Sequence, residues 1–270
     1  MKEKAKKKNS KLTILIIILT ASVIAILVLA GLWLHETITT RQGQQFFDTL
    51  AIDFAVNQPV QVVSIIIDDH GQEIEVIEYV RSLPQIDFDA LRETMPSIIG
   101  WIQSYGTNIN YPIMQYTDND FYLNHLPDRR RHVMGSIYMD YRNEGDFSSP
   151  FMMIYGHNMA SGDKFSSLRH YTDHQYFLDH DTMLILTPDA NFELLIFAGY
   201  NINSSMEHPP MEFDHAGYFY HFIDDLLRRS FINSDIRPEW GDQLVYLVTC
   251  IYTGASPWRR VVVGILVEIE

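Results

Sequence analysis

Eight short strand-like runs, divided by turn residues, constrain the fold of this chain more than any other feature. They are IIGWIQ (98–103), YGTNINYPIMQ (105–115), GSIYMD (135–140), FMMIYGH (151–157), TMLILTP (182–188), FELLIFAGYNI (192–202), QLVYLVTCIY (243–252) and RRVVVGILVEI (259–269). Many such runs punctuated by Gly, Pro, Asn and Asp predict a mainly β fold, a barrel or a sandwich. One segment breaks the pattern. In DHAGYFYHFIDDLLRR (214–229), Tyr218, Phe219, Phe222, Ile223, Leu226 and Leu227 fall at helical spacing. Asp214 is placed to cap its start, and two Arg lie in its last turn. A helix is therefore expected between the sixth and seventh strands. FDALRETM, from Phe88, predicts one or two helical turns that end at Met95, because the residue before Pro96 disfavours the α conformation.

The N-terminus obeys a different logic. Six Lys lie in the first eleven residues, and only Lys164 follows them. Residues 12–34 form an uncharged apolar run of 23 residues, and roughly 20 suffice to cross a bilayer. The basic head before it and the acidic body after it place the N-terminus on the cytoplasmic side. A cleaved signal peptide has a shorter apolar region, about 7–15 residues, and a small-residue site after it. The run here continues through Trp33, so an uncleaved anchor is expected. Residues 35–53 predict a helix whose Phe46 and Phe47 pack on the body. In 58–80, QVVSIII reads as a strand and DDHGQ as a turn, while EIEVIEYV fits a strand or a helix.

From His35 onward the chain carries 14 Lys+Arg against 33 Asp+Glu. Phosphate binding needs a basic face, so nucleic acid is excluded as a partner and cationic or amine-bearing partners are favoured. The only cysteine is Cys250. It forms no intrachain disulfide. It is a free reactive thiol, an intermolecular link or a buried structural residue.

The residues around Cys250 favour chemistry. Residues 242–270 read as strand, short loop, strand. Cys250 ends the first strand and Arg259 and Arg260 open the second, nine residues on. By alternation Cys250 shares a face with Leu244, Tyr246 and Val248, while Thr249 points the other way. His157 ends an apolar strand between Gly156 and Asn158. Thiol, imidazole and guanidinium supply the nucleophile, proton shuttle and oxyanion donor that acyl transfer needs. The two Arg face opposite sides of their strand, and spacing alone does not choose between them. His170, His174 and His180 lack the spacing of a metal site, so no metal and no cofactor are expected. Arg129, Arg130 and Arg131 read as a solvated loop.

These motifs resemble those of the sortases, above all class B. Leu247-Val248-Thr249-Cys250 resembles the signature T-L-x-T-C. Arg259 to Gly264 resembles the R-x-hydrophobic-x-V-small strand. Ile154-Tyr155-Gly156-His157-Asn158-Met159 resembles the class B segment Y-G-H-[NH]-M. Residues 100–125 and 135–143 resemble the stretches ahead of that His, and the helix at 214–229 matches the family's helix between strands six and seven. The resemblance covers residues 88–270.

The resemblance implies an eight-stranded sortase-type barrel with N-terminal helices. It implies a transpeptidase that cleaves a C-terminal sorting signal after Thr through a thioacyl-enzyme, then passes the surface protein to an amine of a peptidoglycan precursor. Position by position it implies Cys250 as nucleophile, His157 as general acid/base and Arg259, not Arg260, at the oxyanion. It implies Thr249, Tyr155 and the loop 200–212, with Ser204, around the substrate. The expected organisation is a cytoplasmic head (1–11), a transmembrane anchor (12–34), a helical or linker region (35–87) and an extracellular catalytic domain (88–270). The chain departs from the pattern at Tyr246, in place of the first Thr, at Ile251 and Tyr252 after the Cys, and at Met95. Two other readings of the residues remain: a Cys peptidase that releases its acyl group to water, and a non-catalytic protein that binds sorting signals.

Overall fold

The computed structural model describes the backbone of residues 2–56, 59–67, 73–81, 83–251 and 256–269, and the side chains of residues 15–52, 83–251 and 256–269. The eight runs become eight strands: β1 (Ile98–Gln103), β2 (Asn110–Met114), β3 (Ile137–Met139), β4 (Phe151–Tyr155), β5 (Thr182–Leu186), β6 (Asn191–Asn203), β7 (Gln243–Cys250) and β8 (Trp258–Ile269). They close into a barrel in the order β6-β8-β7-β4-β3-β2-β1-β5, which decides between barrel and sandwich. Neighbours run antiparallel except β7 beside β4 and β2 beside β3, which are parallel.

β2 starts five residues later than the apolar run suggests. Gly106 has φ +74°, and Thr107 donates its hydroxyl to the Ser104 carbonyl at 2.9 Å, so residues before Asn110 turn instead of extending. β3 is likewise held short by Gly135, whose φ is +51° and whose missing Cβ would meet the Tyr122 carbonyl oxygen at 2.5 Å.

The β strands bury both faces. Val245, Leu247, Val262, Ile154 and Ile113 fill the barrel interior. On the outer face, Tyr246, Val248, Val261 and Val263 join Phe151 and Met153 in a second core. Helix α3 (Ala216–Arg229) completes that core with Phe219, Ile223 and Leu226. It lies between the sixth and seventh strands, as the apolar spacing requires. Its cap differs from expectation: His215, not Asp214, precedes the helix, and its Nδ1 accepts from the Gly217 amide at 3.1 Å. Tyr218, expected on the apolar face, is exposed.

Helix α1 (Lys2–Phe54) contains the apolar run, and its section Leu15–Ile52 is long and apolar enough to cross a membrane. Within it Thr20 and Ser22 return their hydroxyls to the Ile17 and Ile18 carbonyls, each at 2.9 Å. That satisfies them internally, as an apolar surrounding demands. Residues Gln45–Glu270 form one compact unit. In it Phe47 is 1% exposed and meets Tyr111 edge-on at 5.3 Å. Full burial of a side chain of that kind contributes about 1.5–3 kcal/mol, enough to seat the last turns of α1. Phe46 packs beside it, half-buried.

In 58–80, Pro59–Ile67 and Glu73–Arg81 pair as antiparallel strands, so the second run is a strand. The turn expected at residues 68–72 lies outside the described residues. Helix α2 (Phe88–Thr94) follows, with Asp87 accepting from the Ala90 amide at 3.0 Å and Met95 at its C-cap.

Candidate active site

Cys250 and Arg259 are register partners across β7 and β8. Directly opposed residues of an antiparallel pair project from the same face, so the thiol and the guanidinium share the outer face of the barrel. Toward this end of β7 the face opens into a cavity of about 480 Å³ bordered by Cys250, Arg259 and His157. That volume suits a peptide-sized ligand segment. Strand residues Tyr138, Met153, Tyr155 and Val248 also line it, with Asn119, Asp120 and Leu123 from the segment before β3, and Ile202, Ser204, His208 and Pro209 from the end of β6 and the loop after it.

His157 reaches this cavity because β4 runs parallel to β7, in register through Tyr155 and Val248. Three bonds continue the pairing beyond the strand. The Gly156 amide donates to Val248 O at 3.1 Å. Thr249 Oγ1 donates to Gly156 O at 2.7 Å. Asn158 Nδ2 donates to Ile251 O at 3.1 Å. Any Cβ at position 156 would collide with Ile137 Cδ1 and with Phe165 Cδ2, so a side chain there displaces the loop that carries His157.

His157 is half-buried, and its Nε2 lies 2.6 Å from the Leu123 carbonyl oxygen. A carbonyl only accepts, so Nε2 carries a proton and donates it. In the neutral ring Nδ1 is then the basic nitrogen. Burial lowers the His157 pKa below its ordinary value; the Leu123 bond opposes this, and the charge of Lys164 adds to the lowering.

Arg259 Nη1 donates to the carbonyls of Ser256 at 2.5 Å and Trp258 at 3.1 Å. A guanidinium has five N–H donors, so these bonds fix the group and leave others for a ligand. Among the described residues Arg259 has no ion-pair partner. Arg260 takes the opposite face, bonding Asn201 Oδ1 at 3.2 Å and the Arg169 carbonyl at 2.9 Å, with Phe231 under its guanidinium.

The remaining expected residues have internal partners. Tyr155 borders the cavity, but its hydroxyl donates to Asp140 Oδ2 at 3.0 Å. Asp140 has a fully buried side chain. Burial alone would raise its pKa, but hydrogen bonds from Arg142, Tyr155 and Asn119 outweigh that and hold it below the ordinary carboxylate value. Thr249 is buried, its hydroxyl committed to Gly156 O. Ser204 donates both its amide and its hydroxyl to Pro257 O at 2.9 Å, tying the loop after β6 to the β7–β8 connection. Tyr246 does not border the cavity; it is sealed in the outer core. Tyr252 lies outside the described residues.

Sequence reasoning missed the Leu123 carbonyl, Tyr138 and Asn158. A carbonyl leaves no mark in sequence. Tyr138 and Asn158 did leave one: Tyr138 alternates with the inward Ile137 and Met139, and Asn158 adjoins His157. His170 and His180 lie against Tyr176, and His174 against Phe177. Among the described residues no group of three His, Cys, Asp or Glu is placed to hold a metal. Of Arg129–131, all three side chains are exposed, and Arg129 bonds Ser97 Oγ at 3.0 Å.

The comparisons with known proteins agree with this fold. No family model matches the chain. Sortase B of Listeria monocytogenes is 32% identical over 176 residues, covering 65% of this chain and 68% of that protein. Sortase B of Staphylococcus aureus is 30% identical over 186 residues, covering 69% and 75%. A solved sortase B from Bacillus anthracis superposes with a TM-score of 0.70 at 25% identity, covering 86% of this chain and all of that one. With its mixed eight-stranded barrel and these relatives, the chain belongs to the sortase B family of cysteine transpeptidases.

Proposed function

We propose that this protein is a membrane-anchored transpeptidase that cleaves the C-terminal sorting signal of surface proteins after Thr and transfers them to an amine of a cell-wall precursor. The observation that carries this reading is the meeting of Cys250, His157 and Arg259 at one peptide-sized cavity.

In this reading the chemistry proceeds as follows. The Cys250 thiol gives its proton to His157 Nδ1, and Sγ attacks the Thr carbonyl carbon. Arg259 donates hydrogen bonds to the oxyanion. As the C–N bond breaks, His157 returns the proton to the departing amine, leaving a thioester. The acceptor amine then attacks the thioester carbon, its proton passes through His157 to the departing sulfur, and a new amide forms. Thr249 acts as a positioning residue through Gly156, while Tyr155 and Ser204 shape the walls that hold the peptide.

The organisation proposed is a cytoplasmic head at 1–11, a single-pass anchor at 12–34, a connecting region at 35–87 and an extracellular catalytic domain at 88–270. The basic head ahead of an apolar helix supports the orientation, and the acidic body suits amine-bearing partners. The full chain in detergent micelles, incubated with a sorting peptide with and without an amine acceptor, tests the reaction. Amide product in the presence of the amine is expected. Hydrolysis alone, at saturating amine, would reject the transpeptidase reading in favour of a peptidase.

A further inference from the structure

Two tyrosines lie side by side at the cavity, register partners on β3 and β4 with ring centroids 5.3 Å apart. The sequence singles out Tyr155. The structure distinguishes them by what their hydroxyls do. Tyr155 is spent on Asp140 Oδ2 and Met153 Sδ. Tyr138 is 5% exposed, borders the cavity, and among the described residues has no hydrogen-bond partner for its hydroxyl. Other tyrosine hydroxyls without partners, those of Tyr122 and Tyr246, are sealed in the protein where no ligand reaches them. Tyr138 alone of these three is placed where a ligand can satisfy it.

We infer that Tyr138 is a substrate-binding residue: its hydroxyl, beside Cys250 at the cavity, donates a hydrogen bond to an oxygen of the peptide segment that becomes the acyl group. This rests on the transpeptidase reading above. The phenol stays protonated, because burial first, and then the charges of Tyr155, Asp120, Asp140 and Cys250, drive its pKa far above the ordinary tyrosine value. A group that holds its proton so firmly neither abstracts nor delivers one during turnover. Its use is as a fixed neutral donor. A site with a buried donor penalises ligands or variants that leave the bond unmade. Contact with the tilted ring of Tyr155 and the short strand β3 hold the hydroxyl in place before the peptide arrives, which lowers the ordering cost of binding.

The test compares the full chain in detergent with its Tyr138→Phe and Tyr155→Phe variants. A pool of peptides carrying different sorting pentapeptides first identifies the best acyl donor for the wild type. Single-turnover thioester formation is then measured with that peptide, alongside alkylation of Cys250 by iodoacetamide and the thermal midpoint. Tyr138→Phe is expected to lower kcat/KM for the peptide about tenfold, the size of one neutral hydrogen bond to a desolvated partner, with alkylation and the midpoint unchanged. Peptide acylation at the wild-type rate overturns the assignment. So does a parallel loss of alkylation, which would place the hydroxyl's effect on the thiol. If the wild type alkylates but acylates with no peptide, the transpeptidase reading falls and the Tyr138 role with it. If the wild type acylates and Tyr138→Phe matches it, the Tyr138 role falls alone.

Discussion

Cys250 and Arg259 face one another across the antiparallel pair β7 and β8, and this pairing separates two arginines that stand next to each other in sequence. Arg259 enters the cavity with the thiol, while Arg260 turns to Asn201 and Arg169 on the other face. Removing an oxyanion donor typically costs about 10²–10³ in kcat. Arg259→Ala is therefore expected to slow acyl transfer by about that factor, with Arg260→Ala slowing it far less and lowering thermal stability instead. Equal losses of activity in both variants, measured by thioester formation, would remove the oxyanion role from Arg259.

The Thr249 hydroxyl holds the carbonyl of Gly156 at 2.7 Å, and the next residue is His157. Thr249→Val keeps the shape and deletes the bond, leaving a half-buried carbonyl short of a donor. A cost of about 1–3 kcal/mol in stability is expected. A fall in kcat with KM nearly constant should accompany it, because the histidine loses its anchor while the cavity keeps its walls. Thr249→Ser should restore both. A selective rise in KM would instead mean that Thr249 touches the peptide directly.

His157 titrates below the ordinary histidine value, chiefly through burial. The ring is thus neutral at pH 7, and as pH falls it keeps its basic form longer than a free histidine does. The acid limb of kcat/KM for thioester formation is expected below pH 6.5. Stability has the same sign. The unfolded chain binds a proton at its higher pKa, so folding weakens as pH drops through the window just below 6.5. An NMR titration placing the His157 midpoint above 6.5 would contradict both expectations.

Lys164 is fully buried, with φ +59°, and among the described residues its Nζ makes no hydrogen bond. It sits 3.0 Å from the Phe47 ring centroid and 4.3 Å from that of Tyr111. Burial drives its pKa well down, with Asp163 opposing. Below the unfolded lysine value near 10.5 the unfolded chain binds the extra proton, so the residue costs stability at neutral pH. Lys164→Met is expected to gain about 1–3 kcal/mol at pH 7, with the gain shrinking as pH rises toward about 10.5, where the unfolded chain also releases its proton. Calorimetry at the two pH values checks this. A less stable Met variant would mean that the two aromatic rings outweigh desolvation.

Much of the fold was legible because strand periodicity and turn residues are local signals. Barrel closure was not: β5 pairs with β6 in a local hairpin, but the ring closes only when β5 also pairs with β1, far back in the sequence. That Cys250 and Arg259 share a face could be counted from the short connection between their strands. The approach of His157 could not, because parallel pairing of β4 with β7 bridges about ninety residues, and here the family resemblance carried the reading. Tyr246 shows the limit of counting faces. It shares one with Cys250, yet the outer core completed by α3 seals it, and the cavity opens only beyond it, at Val248. Hydroxyl partners were equally hidden: the resemblance implies Tyr155, and nothing in the sequence shows that its hydroxyl is committed to Asp140 while that of Tyr138 is not.

The most direct test is the intact mass of the full chain in detergent micelles after incubation with a pool of peptides carrying different sorting pentapeptides, with Cys250→Ala alongside. A covalent adduct on Cys250 that retains one peptide up to its Thr, absent from the Ala variant, is the predicted result. A folded protein whose thiol still alkylates, yet forms no adduct with any peptide, would contradict the assignment of Cys250 as an acyl-accepting nucleophile.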